Sequence, residues 1–105
     1  DLIERCCRHA ARLAQRLAAA PGAEILNDVV LNQVLARFSP PGDGDADAFT
    51  RAVIQAVQEE GTCWAGGTVW HGRAAMRLSI SGWMTTEDDV ERSADAILRC
   101  AAAVS

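Results

Sequence analysis

The stretch Met76–Ser81, MRLSIS, alternates apolar and polar residues, the period of a strand with one apolar face. Its other face carries a single arginine, Arg77, among small residues. A guanidinium can hold a carboxylate or a phosphate through two parallel hydrogen bonds, so Arg77 is the first candidate for chemistry. All ten basic residues are arginines, so the chain has no side-chain amine for a Schiff base. The four cysteines, Cys6, Cys7, Cys63 and Cys100, include no C-x-x-C pair. That spacing predicts reduced cytosolic thiols rather than a zinc site or a disulfide framework. His71 reads as a turn residue and His9 as a solvated residue on the polar side of a helix. The acidic run Glu87-Asp88-Asp89 has the place of a helix cap, where the backbone dipole favours negative charge, rather than that of a metal site.

These residues need elements to position them. Apolar residues recur at Leu2/Ile3, Cys6, Ala10, Leu13, Ala14 and Leu17, which predicts an amphipathic helix to about Ala19, stopped by Pro21-Gly22. Ala23 to Asn27 is a short strand candidate, Asn27-Asp28 offers turn chemistry, and Val29 to Phe38 is an extended, β-branched run. After the loop SPPGDGDAD (39–47), a second helix is predicted, with Asp45 or Asp47 as its N-cap and Gly61 just past its end. Its apolar stripe is Phe49, Ala52, Val53, Ala56 and Val57. Thr62 to Trp70 and Arg73 to Ser81 read as two strands joined at His71-Gly72. A Thr cap at Thr85-Thr86 opens a last helix with Val90, Ala94, Ile97, Leu98 and Ala101 on its buried stripe. The order α-β-β-α-β-β-α, with strands arriving as hairpins, predicts an α+β fold: an antiparallel sheet with its helices on one face.

The hairpin fixes a register. If Trp70 pairs with Arg73, Val69 faces Ala74, Gly67 faces Met76, Ala65 faces Leu78 and Cys63 faces Ile80, an apolar set expected under the helices. The opposite face then collects Trp64, Gly66, Thr68, Trp70, Arg73, Arg77, Ser79 and Ser81, with Gly66 directly across from Arg77. Two readings of that face are open: a docking surface left uncovered by this chain's helices, or a solvated face with an Arg/Trp stack. Trp64 and Trp70 are expected to pack at an interface rather than touch a substrate.

Length and charge narrow the partners. The chain has 105 residues, the size of one domain (1–105), and a net charge of −4, which argues against a nucleic-acid partner. No apolar run approaches the roughly 18 residues that span a bilayer, so no membrane partner is expected. The chain begins at Asp1 inside a helical pattern, as a piece of a longer polypeptide would.

The run VVLNQVLARF and the later EEGTCWAGGTVWHGRAAMRLSISGWMTTEDDVERS resemble the C-terminal domain of the pyridoxal-phosphate-dependent group II amino-acid decarboxylases, within the aspartate-aminotransferase fold. The likeness covers nearly the whole chain and is strongest in residues 61–93. It implies a small C-terminal domain whose sheet packs against a large domain that binds pyridoxal 5′-phosphate, the electron sink of the reaction. It implies that Arg77, in Arg77-Leu78-Ser79-Ile80-Ser81, matches the position that reaches the carboxylate of the amino-acid substrate. The Schiff-base lysine and the rest of the cofactor site would lie in the large domain, so no residue of this chain is catalytic or binds cofactor on its own. A homodimeric, cytoplasmic enzyme is the further implication. The spacing from Gly82 to Thr85-Thr86 is slightly longer than the aminotransferase pattern. An aminotransferase or another enzyme of the same fold type is the nearer alternative, and a free-standing module binding a small ligand or partner on the Trp/Arg face is the more distant one.

Overall fold

The computed structural model describes residues 2–27, 32–42, 44–80 and 86–104. The element order is α1 (Leu2–Ala18), β1 (Ala23–Ile25), β2 (Gln33–Phe38), α2 (Ala46–Glu60), β3 (Gly66–Trp70), β4 (Arg73–Ser79) and α3 (Glu87–Val104). This is the α+β order expected from the sequence. The sheet is antiparallel throughout, with strand order β1-β2-β4-β3. The extended run before Phe38 forms a strand from Gln33. The rest of it at 29–31, the Asp28 half of the turn, and Ser81, Gly82 and Thr85 lie outside the described residues.

Local chemistry accounts for the element ends. Asp45 caps α2, its Oδ1 accepting from the amides of Asp47 (2.9 Å) and Ala48 (3.3 Å). Gly61 ends it in the left-handed conformation (φ 87°) and returns its amide to the Val57 carbonyl. Thr86 and Asp89 form a reciprocal cap on α3: the Thr86 amide donates to Asp89 Oδ2 and the Asp89 amide to Thr86 Oγ1, both at 3.1 Å. The acidic run is thus a cap, as expected. At the β3–β4 turn His71 (φ 50°) and Gly72 (φ 78°) both take positive φ, the geometry of a two-residue turn that matches strand twist.

One contiguous core joins the helices to one sheet face. Cys6, Ala10, Leu13, Ala14 and Leu17 of α1 meet Val34, Ala36, Phe38, Met76 and Leu78 of the sheet. From α2 come Val53, Ile54 and Val57, and from α3 Val90, Ala94, Ile97 and Cys100. α1 and α2 lie on the sheet, and α3 packs against both. On α2 the buried positions are Thr50, Val53, Ile54 and Val57, with Phe49 and Ala56 at the margin of the core. Thr50 keeps its hydroxyl satisfied by accepting from the Phe38 amide (3.0 Å) and donating to the Phe38 carbonyl (2.9 Å), which ties α2 to β2.

Three expectations need correction. The strand expected from Thr62 begins only at Gly66, so the expected Ala65–Leu78 and Cys63–Ile80 pairs are not part of the ladder. His9, read as solvated, is buried at 6% exposure, because α3 packs beside α1 and covers that position. It stands three residues after Cys6 and four before Leu13, on the buried stripe itself. Val69, assigned to the helix-covered face, is 70% exposed. β3 is an edge strand, and its outer end runs past the helices although the register is the one expected. No helix among the described residues is long and apolar enough to cross a membrane.

Candidate functional site

Strand alternation divides β4 into Ala74, Met76 and Leu78 toward the helices and Arg73, Ala75, Arg77 and Ser79 away from them. The observed pairs Gly66↔Arg77, Gly67↔Met76, Val69↔Ala74 and Trp70↔Arg73 are those derived from the turn. On the other side of β4, Leu35 pairs with Arg77 and Gln33 with Ser79. Arg77 therefore sits between Leu35, buried at 8% exposure, and Gly66, which has no side chain. That Leu35 neighbour was not foreseen. Hairpin arithmetic fixes only β3 against β4, and the pairing of β2 with β4 joins strands that are not consecutive.

Three arginines belong to this open face, in different electrostatic states. Arg37 is tied down, with Nη1 donating to Asp47 Oδ1 and, at 2.9 Å, to the Ala74 carbonyl. The same carboxylate oxygen accepts from the Ala74 amide at 3.1 Å. Arg37, and secondly that amide, hold the Asp47 carboxyl below the usual carboxylate range. Arg73 lies 3.8 Å from Glu24 across the sheet, a loose and exposed pair. Arg77 is exposed and has no ion-pair or hydrogen-bond partner among the described residues. Its Nη2 lies 3.9 Å from the point where a Cβ on Gly66 would stand. A cation beside a gap in a sheet face is equipped to take a carboxylate through two hydrogen bonds.

The other expected site residues fall as follows. Trp64 lies between the buried Cys63 and Ala65 and is itself 68% exposed. Trp70 is half-buried, edge-on to the His71 ring at 4.7 Å, on the hairpin that carries Arg77. Cys63 is a buried free thiol whose pKa burial pushes up to about 11, with the Ser93 side chain opposing the shift. Burial likewise raises the Cys100 thiol. Neither has the character of a nucleophile.

Two clefts elsewhere compare poorly with the arginine face. One of about 430 Å³ lies between the α1–β1 turn, the Pro40-Pro41 loop and the end of α3, and its walls are apolar apart from Ser39. The other, about 500 Å³, runs between α1 and α3, where Arg8, His9 and Arg12 face Glu87, Asp88 and Glu91. Its charges serve the helix pair: Glu91 accepts from Arg12 Nε (2.9 Å) and from Arg16, and Asp95 from Arg16 (2.6 Å). Arg12 first, then Arg16, lowers the Glu91 carboxyl.

With this geometry in place, the likeness to known proteins is informative. No family model matches the sequence, and no curated protein does. Solved structures match over almost the whole chain. Tryptophan decarboxylase of Catharanthus roseus in complex with L-tryptophan superposes with a TM-score of 0.88 at 17% identity, over 98% of this chain and 22% of that one. The 4-hydroxyphenylacetaldehyde synthase of Rhodiola rosea gives 0.85 at 24% identity, over 98% and 23%. The glutamate decarboxylase domain of the Vibrio parahaemolyticus diaminobutyrate-pyruvate transaminase and L-2,4-diaminobutyrate decarboxylase gives 0.81 at 21%, over 98% and 22%. The chain thus shares its fold with a part of each of these enzymes. The chain spans about a fifth of the length of the structures it matches.

Proposed function

We propose that this chain is the C-terminal small domain of a pyridoxal-phosphate-dependent amino-acid decarboxylase. In this reading it closes the active site and uses Arg77 to hold the substrate carboxylate. The observation that carries the proposal is Arg77 itself, an exposed guanidinium without a counter-charge among the described residues, beside a glycine on a face clear of the helices. The fold likeness to decarboxylase structures supports this choice of enzyme class. The chain does not fit the cofactor by itself, because it contains no lysine. Cofactor binding is therefore assigned to a large domain outside this chain, docked on the open sheet face over Trp64 and Trp70. The complete enzyme is read as a cytoplasmic homodimer.

The role of Arg77 is orientation. A guanidinium fork fixes a carboxylate in a plane, and the bond to be broken then takes its direction from the protein rather than from thermal motion. The grip has to be moderate, since an interaction equally strong before and during bond cleavage stabilises the ground state as much as the transition state.

The test uses the complete polypeptide and the protein L-amino acids as a substrate panel. Carbon dioxide release identifies a decarboxylase, whereas a 2-oxo acid product identifies an aminotransferase of the same fold. Arg77→Ala should leave the cofactor absorbance unchanged and lower kcat/KM by about 10- to 100-fold, the worth of charge-assisted hydrogen bonds at ~1.5–3 kcal/mol. Unchanged kcat/KM removes Arg77 from the site.

A further inference from the structure

Gly66 is not accounted for by its backbone. Unlike Gly72, it does not take a positive φ, so an L-residue could occupy the position without strain. Helix packing does not account for it either. At the next residue, Gly67, a Cβ would stand 3.8 Å from Ile54 Cδ1, so α2 occupies that room. Among the described residues, a Cβ on Gly66 would meet one atom within 4 Å, Arg77 Nη2. A glycine inside a strand forfeits stability that a β-branched residue would supply, and in sheets it often marks a close approach by a ligand or another backbone.

We infer that Gly66 is a positioning residue: its missing side chain keeps open the berth from which a carboxylate reaches Arg77. This rests on the reading of Arg77 as the carboxylate holder. The two sides of Arg77 make the inference directional. On the β2 side its partner position is filled by Leu35, a buried and apolar neighbour that offers an anion nothing. On the β3 side the partner position is empty, and Nη2 stands over it. A carboxylate needs the guanidinium edge, with two oxygens in its plane, and the β3 side is where the paired residue brings no side chain against it. Alanine would stand in ordinary van der Waals contact with Nη2 and narrow the berth. Valine would put a methyl group where the carboxylate has to lie.

The experiment compares Gly66→Ala and Gly66→Val in the complete enzyme. The probes are the amino acid of the panel that is decarboxylated fastest, and the amine that its decarboxylation yields, as an inhibitor with no carboxyl group. The expected result is a graded rise in KM, a few-fold for alanine and about tenfold or more for valine, with kcat changed much less. The inhibition constant of the amine should be the same in parent and variants. The melting temperature should be equal or higher, because valine favours strands. In the double variant Gly66→Val/Arg77→Ala, the valine should add no further loss. Unchanged KM in Gly66→Val overturns the inference, as does an equal weakening of amino acid and amine accompanied by a lower melting temperature. If Arg77→Ala alone leaves the kinetics unchanged, the reading of Arg77 has failed; if it lowers kcat/KM while Gly66→Val does not, only the role of Gly66 has.

Discussion

The two faces of the sheet are built from adjacent residues of the same strands, yet they obey different rules. Toward the helices, Val34, Ala36, Met76 and Leu78 belong to one core with side chains of all three helices. Away from them, Arg37 is bound to Asp47, Arg73 leans toward Glu24, and Arg77 stands alone among the described residues. The covered face has its partners within this chain, and its composition follows from burial. The open face keeps a cation without a partner among the described residues and, across from it, a glycine whose backbone does not need to be one.

Neighbouring residues of β4 should therefore respond in opposite ways. The largest effect is expected for Leu78→Ala, which should cost about 2–5 kcal/mol by urea denaturation, the range for a large-to-small change in a packed core. Ser79→Ala, one residue on, and Arg77→Ala should each stay within about 0.5 kcal/mol, as surface changes do. A Ser79 or Arg77 variant as unstable as Leu78→Ala would mean that the open face is packed after all. Next comes Thr50→Val, which keeps the shape but leaves the buried Phe38 amide without its acceptor; it should cost about 1–3 kcal/mol.

The smallest effect belongs to the arginine that is tied down. Its partner Asp47 has a folded pKa below the unfolded one, so the pair's contribution is present above the unfolded carboxylate range. It is lost as pH falls through the folded value. The urea midpoint of the parent should thus fall slightly more between about pH 6 and about pH 2 than that of Asp47→Asn. Parallel profiles would show that the Arg37–Asp47 contact contributes nothing.

Much of this contrast was legible from residue types. Alternation in MRLSIS and the His71-Gly72 turn were enough to place Arg77 opposite Gly66 and on the face away from the helices. The caps at Asp45, Gly61 and the Thr86–Asp89 pair were legible because capping depends on residues within one turn of each other. His9 was misread although its spacing matched the buried stripe, because a polar side chain looks solvated until the neighbour that covers it is known. Val69 was misread for the complementary reason: the register gives its direction but not how far the helix layer extends over an edge strand.

The sequence by itself determined the elements, their order, the turn register and the separation of Arg77 from the apolar face, all consequences of local periodicity and turn chemistry. Only the tertiary structure decided that β2 lies beside β4, and hence that Arg77 is bounded by Leu35 on one side and open at Gly66 on the other. Strands distant in sequence choose one another through the shape of the whole core, and nothing in the period of a single strand encodes that choice.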